Sequence, residues 1–175
     1  VHEQAAHFNG AMSENVVVNN FPEITESLTI SAFFMSESPV FNPIVTRGYS
    51  KEEAYTLFVL SKDRMMLMLN WNSPERIDCQ ANINPPLSTN EYHHLVSVYD
   101  YANHKIKLYV NGNYMGGCEY AHKIYKQTEP LYISSSYPGG KEYLRGNIDD
   151  IRIHDRALSE CEIKSLYTGK DECKP

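Results

Sequence analysis

Apolar and polar residues alternate with a period of two along most of this chain, and turn residues interrupt the alternation at short intervals. In 28–35, Leu28, Ile30, Ala32 and Phe34 fall on one face. Strand-like runs follow at 44–47, 54–60, 65–71, 76–83, 92–99, 105–110, 131–134 and 144–154. Asn42-Pro43, Arg47-Gly48, Lys62-Asp63, Asn72-Ser73-Pro74, Asn84-Pro85-Pro86 and Tyr137-Pro138-Gly139-Gly140 separate them. Asn111-Gly112 is the sharpest turn signal, because both residues tolerate the positive φ of a type I′ hairpin, so 105–110 and 113–118 are predicted antiparallel neighbours. Many short strands at this spacing predict an all-β, two-sheet antiparallel sandwich or jelly roll. One helix is expected at the C-terminal end. Ser159-x-x-Glu162 is a capping box, Leu158, Ile163, Leu166 and Tyr167 supply an apolar stripe, and Gly169 is a stop.

At 175 residues, with no repeat, linker or low-complexity segment, the chain reads as one domain over 1–175. A hydrophobic share of 42% with 13 Tyr and 6 Phe is core-forming material and excludes disorder. No apolar run reaches the roughly 20 residues that a membrane-spanning helix needs. With Lys+Arg 16 against Asp+Glu 22 the net charge is −6, and the basic residues do not cluster, so nucleic acid is not an expected partner.

Cys79, Cys118, Cys161 and Cys173 form no C-x-x-C pair, which argues against structural zinc. Four cysteines allow three disulfide connectivities. A Cys161–Cys173 bridge would tie the tail to the domain and leave Cys79 with Cys118. The bridged reading places the chain in an oxidising compartment as a secreted protein; the other reading is four reduced thiols in the cytosol. Val1 opens the chain without a signal peptide, as in a mature or excised fragment of a larger multidomain protein, or in a cytosolic one. There is no N-x-S/T sequon.

Three segments, in order along nearly the whole chain, resemble the laminin-G-like (concanavalin A-like) lectin–glucanase jelly-roll family. Gly146-Asn147-Ile148-Asp149-Asp150-Ile151-Arg152-Ile153-His154, running into Arg156-Ala157-Leu158-Ser159, is similar to the family's closing strand and helix. Tyr92-His93-His94-Leu95-Val96-Ser97-Val98-Tyr99-Asp100, followed by Lys107-Leu108-Tyr109-Val110-Asn111-Gly112, resembles its W-H-H-V-A-V-x-Y-D…L-Y-V-D-G pair. Phe8-Asn9-Gly10, Val16-Val17-Val18 and 28–34 are similar to the opening. Tyr92 and Phe34 stand where the family has tryptophan, and Asn9 where aspartate is common. The last change removes a carboxylate from the metal site that the resemblance implies.

That resemblance implies a structural calcium between the closing strand and the N-terminal segment, with Asp149 as ligand and carbonyls near Asn9 and Gly48 as partners. Strict alternation would put Asp149 on the inward face with Ile151 and Ile153, where a carboxylate needs a cation or a partner. Pairing with Arg47 or Arg152 is the alternative. His93 and His94 are adjacent, so their rings should point to opposite faces and share no ion.

The E-x-D-x-x-E strand of jelly-roll glucanases is absent, Glu52-Glu53 and Asp149-Asp150 are adjacent rather than alternate, and no G-x-S-x-G occurs, so the expectation is no enzyme. Sugar C–H faces stack on aromatic rings while amides and carboxylates fix the hydroxyls. Trp71 with Asn70 and Asn72, Tyr49 after Gly48, and Tyr137 and Tyr143 around Pro138-Gly139-Gly140 are the candidate ligand-binding residues. Tyr55, Tyr99, Tyr109 and Tyr132 lie on strands as packing material. The expected function is a non-catalytic, secreted or cell-surface recognition module that binds carbohydrate through rim loops or a sheet face. A protein-binding adhesion module is the alternative partner reading, and a hydrolase or lyase with an unrecognised site ranks third.

Overall fold

The structure is a computed structural model and describes residues 5–11, 14–37, 42–48, 54–135 and 143–174. Among the described residues the chain forms twelve strands and one helix: β1 Ala6–Asn9, β2 Val16–Val18, β3 Leu28–Ser36, β4 Asn42–Arg47, β5 Tyr55–Ser61, β6 Arg64–Leu69, β7 Ile77–Asn82, β8 His93–Asp100, β9 Lys105–Val110, β10 Asn113–Glu119, β11 Leu131–Ile133, β12 Arg145–His154 and α1 Glu160–Thr168. They build two six-stranded sheets. The first has the order β1-β12-β3-β8-β9-β10 and the second β2-β11-β4-β5-β6-β7. The pairings are antiparallel throughout, so this is the predicted jelly-roll sandwich. No helix of the described residues is long and apolar enough to cross a membrane.

The core lies between the sheets and follows from the alternation. Leu28, Ile30, Ala32 and Phe34 of β3 are buried against Leu57, Val59, Met65, Leu67 and Leu69 of β5 and β6. Tyr55 and Tyr99 join this core, and burial pushes both phenols far above their ordinary pKa. Arg47 also points inward. Its guanidinium donates to the carbonyls of Phe21 (2.8 Å) and Gln127 (2.9 Å) and lies over the Phe21 ring.

The hairpin at Asn111-Gly112 forms with φ of 49° and 75°, and Val110 faces Asn113 across it. Asn111 adds a second role, since its Oδ1 accepts the His94 amide at 2.8 Å. Both disulfides form, as Cys79–Cys118 and Cys161–Cys173. The first joins β7 to β10, the edge strands on one side of the two sheets, and so closes that side of the sandwich.

Helix α1 covers the outer face of the first sheet. Val96 and Val98 of β8 and Tyr109 of β9 pack against Leu158 and Ile163. Thr29 Oγ1 ties the helix entrance down: it donates to the Arg156 carbonyl and accepts the Leu158 amide. The capping box is complete, with Glu162 Oε2 accepting the Ser159 amide at 2.8 Å and Ser159 Oγ accepting the Glu162 amide. Gly169 ends the helix at φ 69°.

The closing strand departs from strict alternation. The register runs from Asp149↔Phe33 to Arg152↔Ser31, so Asp150 and Ile151 both oppose Ala32 in a bulge, with Asp150 at φ 46°. Ile148, Ile151 and Ile153 therefore all face the core, while Asp149 does not share their face as expected. It sits with Phe33 on the outer face. One extra residue is enough to move a side chain from one side of a sheet to the other.

Candidate functional site: the outer face at β5–β7

Among the described residues no helix packs on the second sheet. On its outer face Phe58, Met66 and Met68 form a separate apolar cluster, with Leu60 and Trp71 packed against it. Cross-strand register continues the rows outward: Met68 faces Asp78, Met66 faces Gln80, and Arg64 faces Asn82. Because Cys79 and Ala81 of β7 turn inward, Asp78, Gln80 and Asn82 form an exposed polar row along this edge strand.

Trp71 lies at the end of that row. β6 stops at Leu69, and Asn70 and Asn72 turn the chain with φ of 53° and 64°. The Arg76 guanidinium covers the indole at 3.6 Å and also holds Asp78, its Nε donating to Oδ1 at 2.9 Å. Indole, guanidinium and carboxylate thus form one fixed group. The turn that carries them is rigid for a traceable reason. Asn70, 0% exposed, donates through Nδ2 to Tyr120 Oη (2.7 Å) and the Lys123 carbonyl (2.8 Å), and its Oδ1 accepts the Tyr125 amide (2.8 Å). Tyr120 donates to the Glu75 carbonyl, and the Tyr125 hydroxyl to the Glu75 carboxylate. The Tyr125 bond holds the Glu75 carboxyl below its usual range, while burial pushes the Tyr120 phenol up to about 12. A shallow depression of about 240 Å³ between 74–77 and 119–122 adjoins the group.

Residues 7–164 match the laminin G-type family described as the concanavalin A-like lectin/glucanases superfamily. The chain belongs to that superfamily.

Solved structures show the same superfamily fold. Mouse laminin α1 chain domains LG4-5 align over 89% of this chain and 44% of that one, at 17% identity and a TM-score of 0.68. Domain 4 of AbnA, a GH43 extracellular arabinanase of Geobacillus stearothermophilus, solved with arabinotriose, aligns over 93% and 76%, at 17% identity and 0.73. The CBM40 of Ruminococcus gnavus IT-sialidase, bound to α2,3-sialyllactose, aligns over 89% and 97%, at 12% identity and 0.67. At these identities the likeness is one of fold. No curated protein sequence matches the chain.

Within this superfamily sandwich, three of the sequence-predicted ligand-binding residues, Asn70, Trp71 and Tyr143, lie among the described residues. Trp71 is half-buried at the rim of the β7 face, whereas Asn70 is wholly occupied in holding the turn. Tyr143 is buried beside Ser135, to which its backbone bridges. Tyr49 and Tyr137 lie outside the described residues. Sequence reasoning does not single out Arg76, Asp78, Gln80 or Asn82. The signal for three of them was present as D-C-Q-A-N, a polar row alternating with an inward cysteine and alanine.

The three calcium candidates lie on different parts of the sandwich. Asn9 pairs with Arg145, four residues along β12 from Asp149 and so about 13 Å away at strand rise. Asn9 Oδ1 accepts the Ala11 amide. Gly48 follows β4 in the other sheet, and Asp149 faces away from that sheet. Of the two arginines considered as its partner, Arg152 forks onto Asp150, and Arg47 lies in the core. His93 and His94 point to opposite faces, His93 contacting the Ser88 carbonyl and His94 the Phe33 ring. Among the described residues no three His, Cys, Asp or Glu side chains group as a metal centre.

Proposed function

We propose that this chain is a non-catalytic carbohydrate-binding module of a secreted or cell-surface protein, taking a glycan across the outer face at β5–β7. The observation that carries the proposal is the fixed Trp71–Arg76–Asp78 group in line with Gln80 and Asn82, on the sheet that the helix leaves uncovered. The Arg76 guanidinium occupies one ring face, so the group offers the remaining indole surface for C–H contact. Guanidinium, carboxylate and two amides are there to meet hydroxyls. Sugar hydroxyls both donate and accept, which suits this mixture. Asp78 is engaged in a forked pair with Arg76, whereas retaining glycoside hydrolysis uses two carboxyls about 5–5.5 Å apart. Two disulfides, and a domain of an extracellular arabinanase among the similar folds, support the secreted setting.

A glycan array followed by calorimetry tests this. Trp71→Ala and Asp78→Asn should each weaken the best-bound oligosaccharide about tenfold or more, with folding verified by circular dichroism. Unchanged affinity in both variants removes this face from consideration. The protein-binding reading has one observation in its favour: Val16 and Val17, exposed on the edge strand β2.

A further inference from the structure

We infer that the groove between α1 and the outer face of the first sheet is a second binding site, for a neutral, hydroxyl-rich ligand of the sugar class. The groove encloses about 860 Å³, within the roughly 300–1,000 Å³ range of small-ligand sites. It exists for two reasons. The β12 bulge sends Asp149 outward, and Gly169 ends the helix before it can cover Phe33.

Its lining defines the ligand. Two carboxylates, Asp149 and Asp150, are matched by two cations, Arg152 and Lys170. Arg152 grips Asp150 with Nε and Nη2 at 2.8 and 2.9 Å, which fixes both groups in one plane. A strongly anionic or cationic ligand would meet like charge on one side of the groove, whereas hydroxyls, which donate and accept, can use both sides. No three metal-ligating side chains group among the described residues, which gives no reason to assign a metal here.

Phe33 and Tyr167 supply the apolar surface. Tyr167, 41% exposed, is stacked on His94 with centroids 6.0 Å apart and planes at 17°. His94 in turn lies 4.7 Å from Phe33. The imidazole is 2% exposed, and its Nδ1 is buried without a hydrogen-bond partner. Desolvation lowers its pKa to about 4, so it carries no charge beneath the tyrosine at neutral pH. A flat ring backed by a second ring loses little freedom when a sugar face settles on it.

This site and the β7 face lie on opposite sheets, so one experiment separates them. ¹⁵N-labelled protein is titrated with lactose, cellobiose and arabinotriose, with α2,3-sialyllactose as an anionic control. The expected result is shift changes at Phe33, Asp149, Arg152 and Tyr167 with a neutral sugar. Tyr167→Ala should weaken that binding about tenfold or more, as should Asp149→Asn, while Asp78→Asn leaves it unchanged. Changes at the β7 face alone overturn the second site and leave the first standing. Changes in the groove alone uphold the second site. Stronger groove binding by the anionic sugar overturns the charge argument, and no change in the groove with any of the neutral sugars overturns the second site, while the β7 face stands or falls by the glycan array.

Discussion

Glu162 shows how much one side chain can carry. Its carboxylate takes a fork from Arg156 and the Ser159 amide and hydroxyl, and these bonds, the Arg156 one foremost, lower its pKa from 4.5 to about 2. A folded-state pKa below the unfolded one stabilises the fold above the unfolded value and loses that contribution as pH falls. Melting curves should therefore drop between about pH 4.5 and 2, and Glu162→Gln, less stable at pH 7, should show a flatter profile there. Ser159→Ala removes the other half of the box and should cost about 1 kcal/mol, read from denaturant titrations. Asp149 belongs to the same scale. Because it faces outward, Asp149→Ala should leave any EDTA-induced change in Tm as it is in the parent protein. An EDTA response abolished by that substitution would restore Asp149 as a calcium ligand.

At the scale of elements, β12 is the informative strand. Its ends were readable, as were Ile151 and Ile153 on the inward face, whereas strict alternation puts Ile148 on the opposite face and the structure buries it in the core. The bulge was not, because Asp149-Asp150 gives no local sign of which residue will take positive φ, and pairing with Ala32 across the sheet decides it. Gly146 explains why the strand can approach β3 so closely just before the bulge. A Cβ there would sit 2.0 Å from the Met35 carbonyl oxygen. The capping box and the Asn111-Gly112 turn were legible for the opposite reason: both are satisfied within a few residues. Trp71 was found from sequence, but its partners were not. Arg76 reaches the indole only after the 70–77 turn folds back, and that turn is held by Tyr120 and Tyr125 some fifty positions away.

For the whole molecule, the Cys79–Cys118 bridge is the disulfide that joins the two sheets. It closes a loop with a sequence separation of 39, against 12 for Cys161–Cys173. Chain-entropy estimates give about 4 kcal/mol for the longer loop and about 3 for the shorter. The Cys79→Ala, Cys118→Ala pair should therefore lower Tm more than the Cys161→Ala, Cys173→Ala pair, measured by calorimetry. The reverse order would mean that the tail, rather than the closed edge, limits stability.

Alternation, turn residues and the capping box determined the sandwich, its strands and its helix from sequence alone, because each depends on neighbours a few positions apart. Which faces stay open was decided only by tertiary structure. Helix α1 takes one outer face and leaves the other to Trp71, Arg76 and the β7 row, and a single bulge turns Asp149 from core to groove. Both outcomes depend on contacts between residues far apart in the chain, where local pattern carries no information about which side of a sheet will be covered.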